Sequence, residues 1–379
     1  MKKKMNATAT SFAWALGSAV VILSNGWLNA QTPPLRLGIV GLVHGHVSGM
    51  LGNALGRKDV DLVGIVEADT ALSSDYQKRF QLSGKLFFRS LESMLDAQKP
   101  EAVAVFSTTF DHRSIVEVCS GRGVHVMMEK PLAVSLEDAQ AIRRASRKGN
   151  IQVLVNYETT WYRSTGDLYR IVRRDGFGEI RRLVAHDGHR GPKEIGCGPE
   201  FLRWLTDPVL DGGGALMDFG CYGANLFTYL MGNQRPIAVS AVTLQLKPLI
   251  YPKVDDDATI VLTYPHAVGI IQASWNWPFD RKDLEIYGST GSARTIGRDV
   301  IRLRVGEEAE KDLTSDPVSP PEDDPLRYLI AVVRKQHAPS GTSSLENNMI
   351  VSEILDAARR SAASGQAIHL PPVAEEDAR

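Results

Sequence analysis

The sequence predicts an α/β protein: an N-terminal doubly wound parallel sheet of the Rossmann type, then an α+β domain with an open, mainly antiparallel sheet. Three observations predict it. Between residues 35 and 156, short and nearly continuous apolar runs alternate with helix-like stretches, the pattern of a parallel sheet covered on both faces. The first run ends in a glycine-bearing turn, where such sheets meet ligands. Beyond residue 237, strand-like runs follow one another with turn residues and no helices between them, as in an antiparallel sheet.

Taken in order, residues 1–30 read as an export signal. Lys2, Lys3 and Lys4 give a positive start, and Phe12 to Leu23 is a mostly apolar run too short to span a bilayer comfortably. Leu28-Asn29-Ala30 before Gln31 supplies a cleavage site. No twin arginine is present, so a Sec-type route to the periplasm is expected, with no stable membrane insertion once the signal is removed. Residues 31–156 form the first domain, with strands at 35–41, 61–67, 102–106, 125–128 and 151–155 and a helix at 136–148. Residues 157–379 form the second. It opens with a helix at 163–174 and a strand at 180–186, and a long helix begins after Gly212-Gly213-Gly214. Strands at 237–246, 258–264, 268–275, 284–287 and 292–296 follow, and helices at 325–335 and 345–364 close the chain.

Composition excludes several classes. The 379 residues suffice for two cores. With 43% hydrophobic and 23% charged residues the chain is ordinary for a globular protein, and a net charge of -1 argues against nucleic acid as a partner. Cys119, Cys197 and Cys221 are odd in number and widely spaced, so neither a disulfide framework nor a metal knuckle is expected.

The chemistry sits at strand ends. Gly41-Leu42-Val43-His44-Gly45-His46 joins the first strand to a helix, which places helix N–H groups against a pyrophosphate. Counted from Gly41, the G-x-G-x-x-G pattern has Val43 and His46 in place of its second and third glycines, and Gly45 takes over part of their work. Glu67 ends the second strand, where an acid accepts hydrogen bonds from ribose hydroxyls and repels a 2′-phosphate, favouring NAD while leaving NADP open. Ser107, Thr108 and His112 follow the next strand, toward the same ligand. Glu129-Lys130-Pro131 follows the strand at 125–128. A lysine there polarises a hydroxyl or protonates a carbonyl. Asp218 and Tyr222 lie four apart after the three glycines and share a helix face. Asp218 would bind substrate hydroxyls, and a tyrosine near a lysine could surrender its proton well below the usual phenol value. Further candidates for substrate contact are Tyr157, Trp161, Arg163, His189 and Arg190. A metal reading of the His186–His189 cluster needs a third ligand and fitting geometry, and no metal is expected.

These pieces resemble the Gfo/Idh/MocA oxidoreductases, the group of glucose–fructose oxidoreductase and inositol dehydrogenase. The resemblance runs from the turn at 38–41 through Glu129-Lys130-Pro131 and the 212–222 segment to Tyr287-Gly288-Ser289-Thr290-Gly291-Ser292 and Ile368-His369-Leu370-Pro371. It implies that Lys130 is catalytic. Tyr222, where the family usually has histidine, resembles the glucose–fructose oxidoreductase and dihydrodiol dehydrogenase branch, in which tyrosine is the acid/base. It also implies an open sheet packed against another subunit, hence a homo-oligomer. The function expected is NAD(P)-dependent hydride transfer at a hydroxyl carbon of a carbohydrate. Two alternatives stand beside it: a nicotinamide-dependent glycosidase or lyase that oxidises the sugar transiently, and a binding protein without turnover. Export favours a cofactor that is held tightly and restored within each cycle.

Overall fold

The computed structural model describes residues 33–174 and 176–371. The export signal expected at 1–30 lies outside the described residues. The first sheet consists of β1 (Leu35–Val40), β2 (Val60–Val66), β3 (Phe87–Phe88), β4 (Ala102–Val105), β5 (His125–Glu129) and β6 (Val153–Asn156). Its order is β3-β2-β1-β4-β5-β6 with every pairing parallel, the strand order of a dinucleotide-binding sheet. The crossovers are α1 (Val47–Leu55), α2 (Thr70–Arg79), α3 (Leu91–Gln98), α4 (His112–Ser120) and α5 (Leu136–Gly149). Side-chain caps set several of their starts. Ser135 Oγ accepts the Asp138 N–H at 3.1 Å and donates to the Asp138 carboxylate at 2.6 Å, closing the first turn of α5 from both sides.

The second region begins with α6 (Arg163–Arg173), β7 (Ile180–Gly188) and α7 (Pro199–Leu205). The expected long helix is two pieces, α8 (Ala215–Asp218) and α9 (Gly220–Leu230), broken at Phe219. The rest comprises β8 (Ala238–Leu244), β9 (Asp257–Thr263), β10 (Val268–Ser274), β11 (Arg281–Gly288), β12 (Gly291–Ile296), β13 (Val300–Val305), β14 (Lys311–Thr314), α10 (Pro325–Val333), α11 (Leu345–Ser364) and β15 (Ile368–His369). The nine-stranded sheet runs β14-β13-β12-β11-β7-β10-β9-β8-β15. It is antiparallel except where β10 lies parallel to β7 at its centre. Nearly every residue of α9 is buried, because the helix lies between this sheet and α11.

One helix crosses over. α10 follows the second sheet in the chain, yet Leu326, Leu329 and Val332 pack with Leu35, Leu37 and Ile39 of β1 and Leu51 of α1. Burying each of these leucines contributes about 1.5–3 kcal/mol. Asp324 fixes the docking: it caps α10 at the Arg327 N–H (2.8 Å) and accepts from Asn53 (2.8 Å) and Arg57 (2.7 Å) of the α1 segment. The three cysteines are free, with Cys119 and Cys221 buried.

Candidate active site

The turn after β1 is shaped by backbone contact. Gly41 has φ +83°, and a Cβ there would meet the Ser107 nitrogen at 2.7 Å, so only glycine fits. The His44 N–H then bonds to the Phe106 carbonyl at 3.1 Å, tying the turn to the end of β4. α1 starts at Val47 with no side chain capping it and no acid in its first turn, which leaves its positive end for an anion. Val43 packs against the core. The Glu67 carboxylate accepts the Leu42 N–H at 3.0 Å and the Asp69 N–H at 2.9 Å, so it is held beside the same turn with lone pairs to spare. This constriction, free helix end and acid fit a dinucleotide at Gly41–His46 and Glu67, with Ser107 at the neighbouring strand end.

Two of the expected cofactor contacts are occupied otherwise. Thr108 caps a short turn, accepting the Asp111 N–H at 3.3 Å and donating to its carboxylate at 2.7 Å. The His112 ring is buried, with Nδ1 against the Leu132 carbonyl at 3.2 Å.

Lys130 and Asp218 form the centre. The Lys130 ammonium donates to the Asp218 carboxylate and, at 3.0 Å, to the Asp218 carbonyl. That carbonyl is available because of the helix break: Tyr222 N–H bonds to Phe219 instead, at 3.1 Å. The other carboxylate oxygen accepts the Trp275 indole N–H at 3.0 Å. Burial alone would lower the lysine's pKa, but Asp218 outweighs it and holds it above the ordinary value. Burial likewise opposes ionisation of Asp218, and Lys130 keeps that carboxyl below its usual range. The three glycines let this segment approach its neighbour, since a Cβ on Gly214 would strike the Asp255 carbonyl at 1.9 Å.

The pair opens onto a cavity of about 480 Å³ whose walls include His44, His189, Phe219, Tyr222, Glu158 and Lys282. Lys130 and Tyr222 thus face one cavity, but not as expected. The ammonium stands 5.2 Å from the centre of the Tyr222 ring, over its face rather than at its oxygen. Burial drives the phenol well above its ordinary pKa, so Tyr222 is not primed to lose its proton. Asp218 also lines the cavity, and with one donor on each oxygen, Lys130 and Trp275, its carboxylate keeps lone pairs that a substrate hydroxyl could use. His189 reaches the cavity, its ring edge-on to Phe219 at 4.9 Å and its pKa lowered by burial.

Four expected substrate residues lie elsewhere. Tyr157 is fully buried and packs edge-on to Tyr222 at 5.4 Å. Trp161 donates to Asn156 at 2.9 Å and packs on Tyr328. Arg163 pairs with Asp299 at 3.6 Å, and Arg190 is exposed to solvent. Residues that sequence reasoning missed are Glu158 and Lys282, which form an ion pair on the cavity wall. Glu158 also accepts from Tyr162 at 2.8 Å and pairs with Arg298. Burial works against its charge, but Lys282 and these donors bring the carboxyl down to about 2.

Comparison with known proteins settles the family. The profile of an oxidoreductase family with an NAD-binding Rossmann fold matches residues 35–157, and that of the GFO/IDH/MocA C-terminal domain matches residues 167–294. The chain belongs to the Gfo/Idh/MocA oxidoreductase family. Its first sheet is that family's NAD-binding Rossmann fold. Trans-1,2-dihydrobenzene-1,2-diol dehydrogenase of Sus scrofa is 23% identical over 62% of this chain and 66% of its own, so the match spans a little under two-thirds of that relative. A dTDP-3,4-didehydro-2,6-dideoxy-alpha-D-glucose 3-reductase of Streptomyces antibioticus is 25% identical over 69% and 76%. Among solved structures, an inositol dehydrogenase homolog from Azotobacter vinelandii complexed with NAD+ superposes with a TM-score of 0.78 at 17% identity, covering 89% of this chain and 97% of that one. An aldose-aldose oxidoreductase from Caulobacter crescentus complexed with glycerol superposes with a TM-score of 0.76 at 20% identity, covering 89% and 100%.

Proposed function

We propose that this Gfo/Idh/MocA protein transfers a hydride between a nicotinamide and a hydroxyl-bearing carbon of a sugar or polyol. The observation that carries the reading is the buried Lys130 ammonium, gripped by Asp218 on the wall of a cavity sized for a monosaccharide and lined by both rings and polar groups. The names of the relatives (a diol dehydrogenase, a deoxyhexose reductase, an inositol dehydrogenase homolog) support that substrate class. They favour oxidoreduction over a glycosidase or a binding protein without turnover.

Gly41, the start of α1, Glu67 and Ser107 would hold the dinucleotide, whose ring supplies the hydride acceptor or donor. Lys130 does the proton chemistry. Its ammonium donates a hydrogen bond to a substrate carbonyl oxygen, stabilises the negative charge that grows there, and delivers the proton that completes the hydroxyl. For oxidation the lysine must first be neutral, which Asp218 opposes. Tyr222 keeps its proton and contributes a hydrogen bond from the phenol.

The positive, apolar amino-terminal sequence supports export to the periplasm, where a cofactor restored within each cycle suits the setting. Exposed Val242 and Leu244 on the outer face of β8 support a homo-oligomer built through the open sheet, and native mass spectrometry would report subunit count and bound nucleotide together. The direct test is Lys130→Met. Turnover is expected to fall by roughly 10²–10⁴-fold with circular dichroism unchanged, and a folded variant at near-normal rate would remove the lysine from the mechanism.

A further inference from the structure

The dinucleotide turn leaves two side chains unexplained. Gly41 and the start of α1 suffice for a pyrophosphate, yet imidazoles stand at His44 and His46, and both reach toward Glu129. One ligand atom from each of the three residues lies within 4.8 Å of the others. His46 Nδ1 is 3.2 Å and His44 Nε2 3.9 Å from the same carboxylate oxygen, Glu129 Oε2. Two ligands of a single tetrahedral zinc ion stand about 3.3–3.5 Å apart, so His46 and Glu129 already stand near ligand spacing and the His44 ring has to close in on them to share one ion.

We propose that His44, His46 and Glu129 bind one divalent transition-metal ion of the zinc type, with its open position toward the cavity that Lys130 lines. Two imidazoles and one carboxylate form the ligand set of zinc sites that keep a fourth position free. Both histidines line that cavity. The surroundings hold the ligands as outer groups hold them in metal sites. Asn156 Nδ2 donates to the second Glu129 oxygen at 3.0 Å, and Trp161 Nε1 donates to Asn156 Oδ1 at 2.9 Å. The His44 ring is wedged edge-on against Phe201 at 5.0 Å. The His46 side chain is 48% exposed, which provides an entry path. This assigns Trp161 and Asn156 a positioning task in place of substrate contact.

Binding carries one local cost. His44 Nδ1 accepts the His46 backbone N–H at 3.2 Å, which puts the ring proton on Nε2, facing Glu129. An ion on Nε2 moves that proton to Nδ1 and ends this long backbone bond, exchanging it for a metal–nitrogen bond. The open position then offers a Lewis acid to a sugar oxygen. That use rests on the carbohydrate reading; the binding of the ion does not.

The test uses the full-length protein, stripped with a chelator and titrated with ZnCl₂ by calorimetry and with CoCl₂ by visible absorption. One ion per chain is expected, with a cobalt spectrum of nitrogen and oxygen ligation. His44→Ala and His46→Ala should lose stoichiometric binding, and Asn156→Ala should weaken it roughly 10–100-fold. His189→Asn, which leaves all three ligands in place, should bind as the parent does. No zinc or cobalt bound by the parent protein overturns the site, as does unchanged binding by folded His46→Ala. The parent's cobalt spectrum decides even if a variant fails to fold, since bands lacking imidazole ligation also overturn it. A thermal shift with NAD on the chelator-stripped protein, before any metal is added, keeps the readings apart: a response to NAD in a protein that then binds no metal sinks only the metal site, and metal binding by a protein that gave no response to NAD when stripped sinks only the dinucleotide reading.

Discussion

Replacing Asp218 with asparagine isolates the charge that holds Lys130. Asparagine keeps the shape and still offers an oxygen to the Trp275 indole, so the substitution removes little besides the carboxylate. Lys130 is then left with one partner, the Asp218 backbone carbonyl at 3.0 Å, in a buried position. Breaking a buried ion pair from one side costs about 3–5 kcal/mol. The pH dependence carries the sign. In the parent protein the lysine's folded pKa lies above its unfolded value, so its stabilisation is complete below about pH 10.4 and lost as pH rises through the folded value. In Asp218→Asn, desolvation acts unopposed by the carboxylate and the folded pKa falls below the unfolded one, which reverses the slope. The deficit should therefore be largest near neutrality and shrink as pH climbs toward 10. Guanidinium unfolding of both proteins at pH 6, 8 and 10 measures it. Carbonyl reduction by the variant should also decline through the neutral range as the lysine loses its proton, while the parent stays flat. A deficit under about 0.5 kcal/mol, equal at all three values, would refute the account of this pair.

Other substitutions probe separate links. Gly41→Ala places a methyl against the Ser107 backbone at positive φ; destabilisation of about 1–3 kcal/mol and a weakened thermal response to NAD are expected, and an unchanged response would show that the turn does not touch the nucleotide. Tyr222→Phe should leave the pH dependence of oxidation between pH 7 and 9 in place, because burial keeps the phenol protonated there; loss of a limb of that profile would reinstate the tyrosine as the titrating base. Leu329→Ala should cost about 2–5 kcal/mol and lower the unfolding midpoint of the NAD-binding half, as followed by loss of nucleotide response. An effect confined to the second sheet would mean that α10 contributes nothing to the first core.

Sequence pattern revealed the regular parts. β1, β2, β4, β5 and β6 were legible because each is a dense apolar run, and α11 because apolar residues recur at helical spacing along its 20 residues. β3 has two residues and β14 is exposed along its length, so neither carries an alternation to find. The pairing of β10 beside β7, and the landing place of α10, depend on contacts far apart in the chain, which periodicity does not encode. In the site, Lys130, Asp218 and Tyr222 stood out through a strand end and a glycine run. Glu158 lay within a segment already singled out, but its partner Lys282 is the second residue of β11, 124 residues away, and no local spacing joins them. Tyr157 and Trp161 misled because an aromatic ring beside a predicted cleft serves a core equally well. The helix break at Phe219 was equally hidden, although it alone frees the carbonyl that Lys130 uses.

The return of α10 to the first sheet sets an order of events during translation. Leu35, Leu37 and Ile39 emerge from the ribosome about 290 residues before Leu326 and Leu329, so one apolar wall of the nucleotide half stays bare until nearly the whole chain is made. A nascent half-protein of that kind is a natural client for a holding chaperone. A fragment ended at residue 156 would keep the bare wall permanently and should aggregate rather than fold as an independent nucleotide-binding module.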